Sequence, residues 1–168
     1  MQTHELPVIS GTFYRILFAD HPGDPLRGAL SPEGRFHHNG QPALYVSSRP
    51  DWAFRAVEAY LKPGDPPRET LPLRLGPARV VDLRDTALCT RLGIRPSDAA
   101  VPWLPQRARG EAPDTWRPAD ASRACGADGM IYTARSAPER WHLVLFRWNE
   151  AGGPAVSVDG PGTPLEAG

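Results

Sequence analysis

The chain has 168 residues, and its 19 basic and 19 acidic side chains cancel to a net charge of zero. This length is typical of one domain with a substantial core. Neutrality argues against a general nucleic-acid or anionic-membrane binder, and no apolar run is long enough to span a bilayer. The amino terminus has no basic patch followed by an apolar stretch, so no secretory signal is predicted. We therefore expect a soluble cytoplasmic protein.

The basic residues are strongly skewed towards arginine, since Lys62 is the only lysine and the other 18 are Arg. A GC-rich coding bias explains such a skew, and the 20 Pro and 16 Gly fit it. Alternatively, forked arginine donors suit phosphate or carboxylate recognition. The two cysteines, Cys89 and Cys125, form no CxxC motif, and we interpret them as packed thiols.

In the first half of the chain, alternation predicts a strand over 13–18, followed by a Pro- and Gly-rich loop over 21–40. A second strand is predicted over 43–48. Pro50 and Asp51 then favour the start of a helix, which Pro63 and Gly64 end.

The second half predicts two short strands separated by Gly76-Pro77, and then a helix from Asp85-Thr86 to Leu92. The five prolines between 95 and 118 allow only short helical pieces or an ordered loop. The remaining predicted elements are a helix over 118–124, strands over 130–133 and 141–148, and a mobile Gly/Pro-rich tail. We therefore predict a single mixed α+β domain, with a lead-in over 1–12, a domain over 13–149 and a tail over 150–168.

The most informative loop reads Gly34-Arg35-Phe36-His37-His38-Asn39-Gly40, directly before the second strand. Its cationic and polar side chains suit anion capture, although a solvated polar loop has the same composition. Adjacent histidines on extended backbone point to opposite faces, so we expect no metal site here. The sequence has no P-loop, Rossmann or GxSxG motif.

Glu58 lies on the first predicted helix among apolar neighbours. Such a carboxylate usually turns to the solvent face of a helix. The alternative is a pocket carboxylate that stabilises charge or transfers a proton.

Five features, taken in order, resemble the RES-domain family of bacterial toxins, which act on NAD+. The features are Tyr14-Arg15 on the first strand, Gly34-Arg35-Phe36 with Asn39-Gly40, Ala43-Leu44-Tyr45-Val46-Ser47, Glu58, and Asp128-Gly129-Met130-Ile131-Tyr132 continuing through Arg135-Ser136 to Leu143-Val144-Leu145-Phe146. The resemblance covers about residues 13–149. It implies an ADP-ribosyltransferase-like fold, with a split, mostly antiparallel β core and helices around an NAD+ cleft.

The family is named for an Arg, a Glu and a Ser, which the resemblance places at Arg35, Glu58 and position 134. Position 134 is Ala, a departure from the family pattern. Three explanations stay open. This copy is naturally impaired, a neighbour (Thr133 or Ser136) substitutes for the serine, or the serine was changed to alanine so that a toxic protein is tolerated. We favour the last interpretation, because the surrounding residues fit the pattern.

The resemblance implies cleavage of the nicotinamide–ribose bond of NAD+, which is then a substrate rather than a resident cofactor. Arg15 and Arg35 suit the pyrophosphate, and Glu58 suits positive charge that develops at the ribose. Tyr14 and Tyr45 suit stacking on nicotinamide or bonding a ribose hydroxyl. Asn39 and Arg135 complete the candidate NAD+-binding set.

The acceptor stays open at this point. Water would give a NAD+ glycohydrolase, phosphate a phosphorylase, and a protein side chain an ADP-ribosyltransferase.

The family further implies an antitoxin partner with an Xre-like region that occludes the cleft, and any DNA contact would pass through that partner. The competing hypotheses are a non-catalytic RES interaction module, for which Ala134 is the best argument, and a secreted effector. Trp103, Trp116 and segment 95–118 either pack structurally, close over the cleft or form the partner surface.

Overall fold

A seven-stranded sheet forms the centre of residues 5–20 and 23–165, the parts of the chain that the structure, a computed structural model, describes. Its strands are β1 (Val8–Phe18), β2 (Leu44–Ser47), β3 (Arg68–Asp82), β4 (Gly129–Ala134), β5 (Ala137–Leu145), β6 (Val156–Val158) and β7 (Thr163–Pro164). They lie in the order β1-β2-β5-β4-β3-β6, and β7 pairs with β3.

Strand β1 pairs with both β2 and β3, which closes β1, β2, β5, β4 and β3 into a ring. Among the described pairings, β3 with β4 is parallel and the others are antiparallel. The predicted α+β domain with a mostly antiparallel core is therefore confirmed.

The Gly76-Pro77 pair does not separate two strands, so the prediction of a break there is wrong. The register passes from Ile9 opposite Ala78 to Gly11 opposite Leu75, so β3 accommodates one extra residue as a bulge. The Gly76 N–H also donates to the Ala155 carbonyl at 2.8 Å, which satisfies the backbone where the ladder to β1 is irregular.

Two apolar clusters flank the sheet because side chains alternate along each strand. One cluster packs strand residues against one another, and its large buried members include Leu44, Leu73, Val80, Leu143 and Leu145. The other packs the opposite faces of β3, β4 and β5 against Phe36 and the helical segments; it includes Val81, Leu88, Cys89, Ala119, Met130 and Val144. The predicted packing role of Cys89 is confirmed, and Cys125 lies at the edge of this second cluster.

Four short α-helices occur in the described residues: α1 (Pro50–Val57), α2 (Thr86–Leu92), α3 (Trp103–Ala108) and α4 (Trp116–Ala124). Helix α1 begins at a proline, as predicted, and continues into a 3-10 turn over Glu58–Tyr60. The Asp85 carboxylate caps α2 by accepting the Leu88 N–H at 3.0 Å. No helix in these parts of the chain is long and apolar enough to cross a membrane.

Where it is described, the segment after residue 150 is paired with the sheet, a pairing that the sequence analysis did not predict; the mobility of the tail stays a prediction. Strands β6 and β7 both pair with β3. The Asn149 side chain holds the return, since its Oδ1 accepts the Val156 N–H at 2.7 Å and its Nδ2 donates to the Val156 carbonyl at 2.9 Å. Similarly, β1 begins at Val8, inside the predicted lead-in. Residues 1–4 and 166–168 of the predicted lead-in and tail lie outside the described parts.

Candidate active site

A cleft of about 170 Å³ opens between α1 and the outer face of β1 and β2. Strand alternation directs Tyr45 and Ser47 to this same face of β2. Apolar side chains of α1 form the opposite wall. The residues that line the cleft are Tyr14, Arg15, Ile16, Ala29, Tyr45, Val46, Ser47, Ala53, Ala56, Val57 and Tyr132.

Arg35 lies beside the cleft residues Tyr45 and Tyr132. Its guanidinium carbon lies 4.9 Å from the ring centroids of both Phe36 and Tyr132. One Nη donates to the Ala99 carbonyl at 2.7 Å. Among the described residues, Arg35 has no carboxylate partner within ion-pair distance.

Burial lowers the pKa of Arg35, so the protein surroundings disfavour its positive charge. Because no described carboxylate offsets that charge, an anionic ligand would lower the free energy of this site.

The Tyr45 side chain holds the loop over residues 34–40, which carries Arg35 and is called the arginine loop. The Tyr45 hydroxyl accepts the Phe36 N–H at 3.0 Å and lies 2.8 Å from His37 Nδ1. His37 Nε2 lies 2.9 Å from the Ser31 carbonyl, which can only accept, so Nε2 carries the proton and Nδ1 accepts from Tyr45. Burial lowers the pKa of His37 and so favours this neutral form. The same burial raises the pKa of Tyr45, which keeps the phenol protonated.

Gly34 lets this loop close tightly, because a Cβ at that position would collide with the His37 ring. Trp116 supports the loop from the other side: its indole N–H donates to the Gly34 carbonyl at 2.9 Å, and its ring stacks on His38 at 4.4 Å. Trp116 therefore packs against the arginine loop, which favours the structural interpretation over a lid.

Arg15 borders the cleft, but its Nη1 is already committed to the neighbouring loop. It donates to the carbonyls of Pro25 at 2.8 Å and Arg27 at 2.7 Å. Burial lowers the pKa of Arg15 to about 10, partly offset by Asp24. Arg15 therefore places a positive charge at the cleft while it holds the loop over 25–27.

A polar row crosses four strands at the base of the cleft. Tyr14 is opposite Ser47, Ser47 is opposite His142, and His142 is opposite Tyr132. Ser47 Oγ lies 2.7 Å from His142 Nδ1, and the rings of His142 and Tyr132 have centroids 5.4 Å apart. Burial, with the charges of Arg35 and Arg140, lowers the pKa of His142 to about 4. Burial also raises the pKa of Tyr132 to about 12, so both rings are neutral at neutral pH.

The structure does not bring every predicted site residue to the cleft. The Glu58 side chain is 47% exposed and pairs with Arg55 at 2.9 Å, although Val57, the preceding residue, lines the cleft. Asn39 is an exposed turn residue with φ of 53°, and its amide lies 3.1 Å from His38 Nδ1. Arg135 is exposed in the turn between β4 and β5.

Ala134 ends β4, two residues after Tyr132, and is half-buried opposite Ala137. The register is irregular between Thr133 and Ala134. Thr133 borders a separate cavity with Ala99 and Pro138, and Ser136 is exposed in the turn.

Three residues of the cleft and its polar row were not predicted as site residues from the sequence: Ser47, Tyr132 and His142. Two signals were present: Ser47 lies two residues after Tyr45 on one strand, and His142 interrupts the apolar run that continues to Phe146. What the sequence could not supply is the register that joins Ser47 and His142 across 95 residues.

The RES domain, as a family, matches residues 12–167 of this chain. The chain belongs to the RES-domain family. A search of curated proteins gives no match. Among solved structures, the crystal structure of the M. tuberculosis MbcT–MbcA toxin–antitoxin complex is similar, with a TM-score of 0.62 and 16% sequence identity over 94% of this chain and 85% of that one. At this identity the likeness shows a shared fold.

Proposed function

We propose that this RES-domain protein is a toxin that cleaves the nicotinamide–ribose bond of NAD+, with water or phosphate as acceptor. The observation that carries the proposal is Arg35, a guanidinium in protein surroundings without a carboxylate partner among the described residues. Its planar fork of N–H donors suits a pyrophosphate. Family membership supports the same substrate.

The remainder of the cleft suits the other half of the substrate. Tyr14, Tyr45 and Tyr132 supply aromatic faces and hydroxyls, and α1 supplies an apolar wall. A mostly apolar pocket with a few placed polar groups is the usual form of a small-molecule site.

Glu58 then has to turn from Arg55 towards the cleft to stabilise positive charge at the ribose. An exposed ion pair three residues apart contributes little free energy to stability. Breaking the Arg55–Glu58 pair therefore costs little, and Glu58 can move. Asn39 and Arg135 remain proposed NAD+ ligands that would need comparable movement.

An antitoxin partner that covers the cleft is part of the proposal. The similar solved structure is a toxin–antitoxin complex, which supports a protein partner of this kind. We propose the Xre-like type on family grounds.

The second candidate function is a non-catalytic RES module that binds NAD+ or a partner without turnover. Ala134 at the family's serine position favours it, because neither Thr133 nor Ser136 faces the cleft in its place. A protein ADP-ribosyltransferase is the remaining alternative for the acceptor.

The test incubates the protein and its Ala134→Ser variant with NAD+, with and without inorganic phosphate and with a protein acceptor mixture, and resolves products by mass. Free nicotinamide with ADP-ribose indicates a glycohydrolase, and a phosphorylated ADP-ribose that requires phosphate indicates a phosphorylase. NAD+ that stays intact with both proteins under every condition contradicts the enzyme. Calorimetric NAD+ binding would then separate the module from a protein without any NAD+ site.

A further inference from the structure

The Ser47–His142 pair lies at the middle of the polar row. Both residues are only 4% exposed, yet Ser47 forms part of the cleft wall. Their positions are set by backbone pairing, because Ser47 and His142 are direct partners in the β2–β5 ladder. The 2.7 Å contact between Oγ and Nδ1 therefore joins two side chains on rigid elements.

His142 fixes the rotamer of Ser47 in either of its neutral tautomers. Where Nδ1 accepts the serine proton, the Ser47 lone pairs are available to a ligand N–H; where Nδ1 donates, the Ser47 O–H is available to a ligand oxygen. The groups that face the imidazole are Ser47, the Tyr132 ring and the charges of Arg35 and Arg140. No described carboxylate faces it, so nothing there favours a proton on the ring.

The surroundings of Ser47 indicate which part of a ligand it would meet. Apolar side chains of α1 cover it from one side. Tyr14 is its neighbour on one side of the row, and Tyr132, which also lines the cleft, follows His142 on the other side. Such a slot, with aromatic groups and one fixed hydroxyl, suits a flat ring that carries an amide and a neighbouring sugar hydroxyl. Arg35 is the group suited to the anionic part of the same ligand.

We propose that Ser47 contacts the nicotinamide–ribose half of NAD+ and that His142 is the positioning residue that holds its hydroxyl. This inference rests on the proposed function. Ser47 would supply a fixed hydroxyl to the cleft in a chain where the proposed serine position of the family, 134, is alanine. Ser47 is thus a substrate-contacting residue, and His142 acts through it.

The parent protein for the experiment is whichever is more active, the native chain or its Ala134→Ser variant. In that parent, kcat and KM for NAD+ are measured with Ser47→Ala, His142→Asn and His142→Leu. Asn retains a polar atom near the place of Nδ1, whereas Leu removes it. Ser48→Ala is the matched control: Ser48 is the next residue, and its buried hydroxyl makes no hydrogen bond with the described residues. Thermal melting shows which variants remain folded.

We expect Ser47→Ala and His142→Leu to lower kcat/KM by about 10- to 100-fold, mostly through kcat, as loss of a preorganised polar contact does. His142→Asn should recover most of that loss, and Ser48→Ala should match its parent. A folded Ser47→Ala protein with its parent's kcat/KM would overturn the inference, as would a His142→Leu protein as active as His142→Asn.

Should both parents bind NAD+ without turnover, the same series is compared by affinity, with a loss of about 10-fold expected for Ser47→Ala. Unchanged affinity in Ser47→Ala would overturn the inference about Ser47 and leave the proposed function standing. Should neither parent bind or consume NAD+, the proposed function itself fails and the inference falls with it.

Discussion

The burial of His142 predicts a measurable dependence of stability on pH. The pKa of His142 is lowered from 6.5 to about 4 in the folded protein. Between these values the unfolded chain binds a proton at this position and the folded protein does not, so falling pH favours unfolding. At about 1.36 kcal/mol per pH unit, this difference corresponds to about 3 kcal/mol of unfolding free energy lost between pH 6.5 and 4.

The assay is denaturant unfolding of the native protein and His142→Asn at several pH values from 8 to 4. Carboxylates and the other histidines contribute equally to both proteins, so the difference between the two curves isolates His142. At pH 8 the histidine is neutral in both states, and the difference there gives the plain cost of the substitution. Below pH 6.5 the native protein should lose about 3 kcal/mol more than the variant. Parallel loss in the two proteins would refute the assignment of a buried, neutral His142.

Two further predictions concern the polar contacts that fix the arginine loop and the carboxyl-terminal strands. Tyr45→Phe removes the hydroxyl that bonds Phe36 and His37, and should lower the unfolding free energy by about 1–3 kcal/mol, at about 0.5–1.5 kcal/mol per bond; an unchanged denaturation midpoint would contradict this role. Asn149→Ala removes both side-chain bonds to Val156 and should speed amide hydrogen exchange throughout β6, while β4 keeps its native protection. Native exchange rates in β6 would show that strand pairing alone holds the segment.

Local patterns were enough to predict several elements of this fold. Pro50 marks the start of α1, and Asp85 caps α2, because each depends on residues within a few positions. Family resemblance likewise placed Tyr14, Arg15 and Tyr45, which the structure brings to one cleft.

Long-range pairing could not be predicted in the same way. Gly76-Pro77 is typical of a turn, but a bulge against β1 absorbs it within one continuous strand. The segment after residue 150 has a composition typical of a loose tail, but free backbone groups of β3 give it pairing partners. The resemblance placed the family's Glu at Glu58, whereas the solvent-facing pair of Glu58 with Arg55 depends on where α1 changes to a 3-10 turn.

If the cleft beside Arg35 binds NAD+, as we propose, calorimetric titration should detect that binding and its dependence on Arg35. The proteins compared are the native chain, Arg35→Gln and the control Arg117→Gln, which alters an exposed arginine that pairs with Asp114 outside the cleft. We predict that Arg35→Gln weakens NAD+ binding at least about 10-fold, as expected for a lost charge-assisted contact, and that Arg117→Gln leaves the affinity unchanged. Equal affinity for NAD+ in the native protein and a folded Arg35→Gln variant would contradict a role of Arg35 in NAD+ binding, and a native protein that binds no NAD+ would contradict an NAD+ site in this cleft.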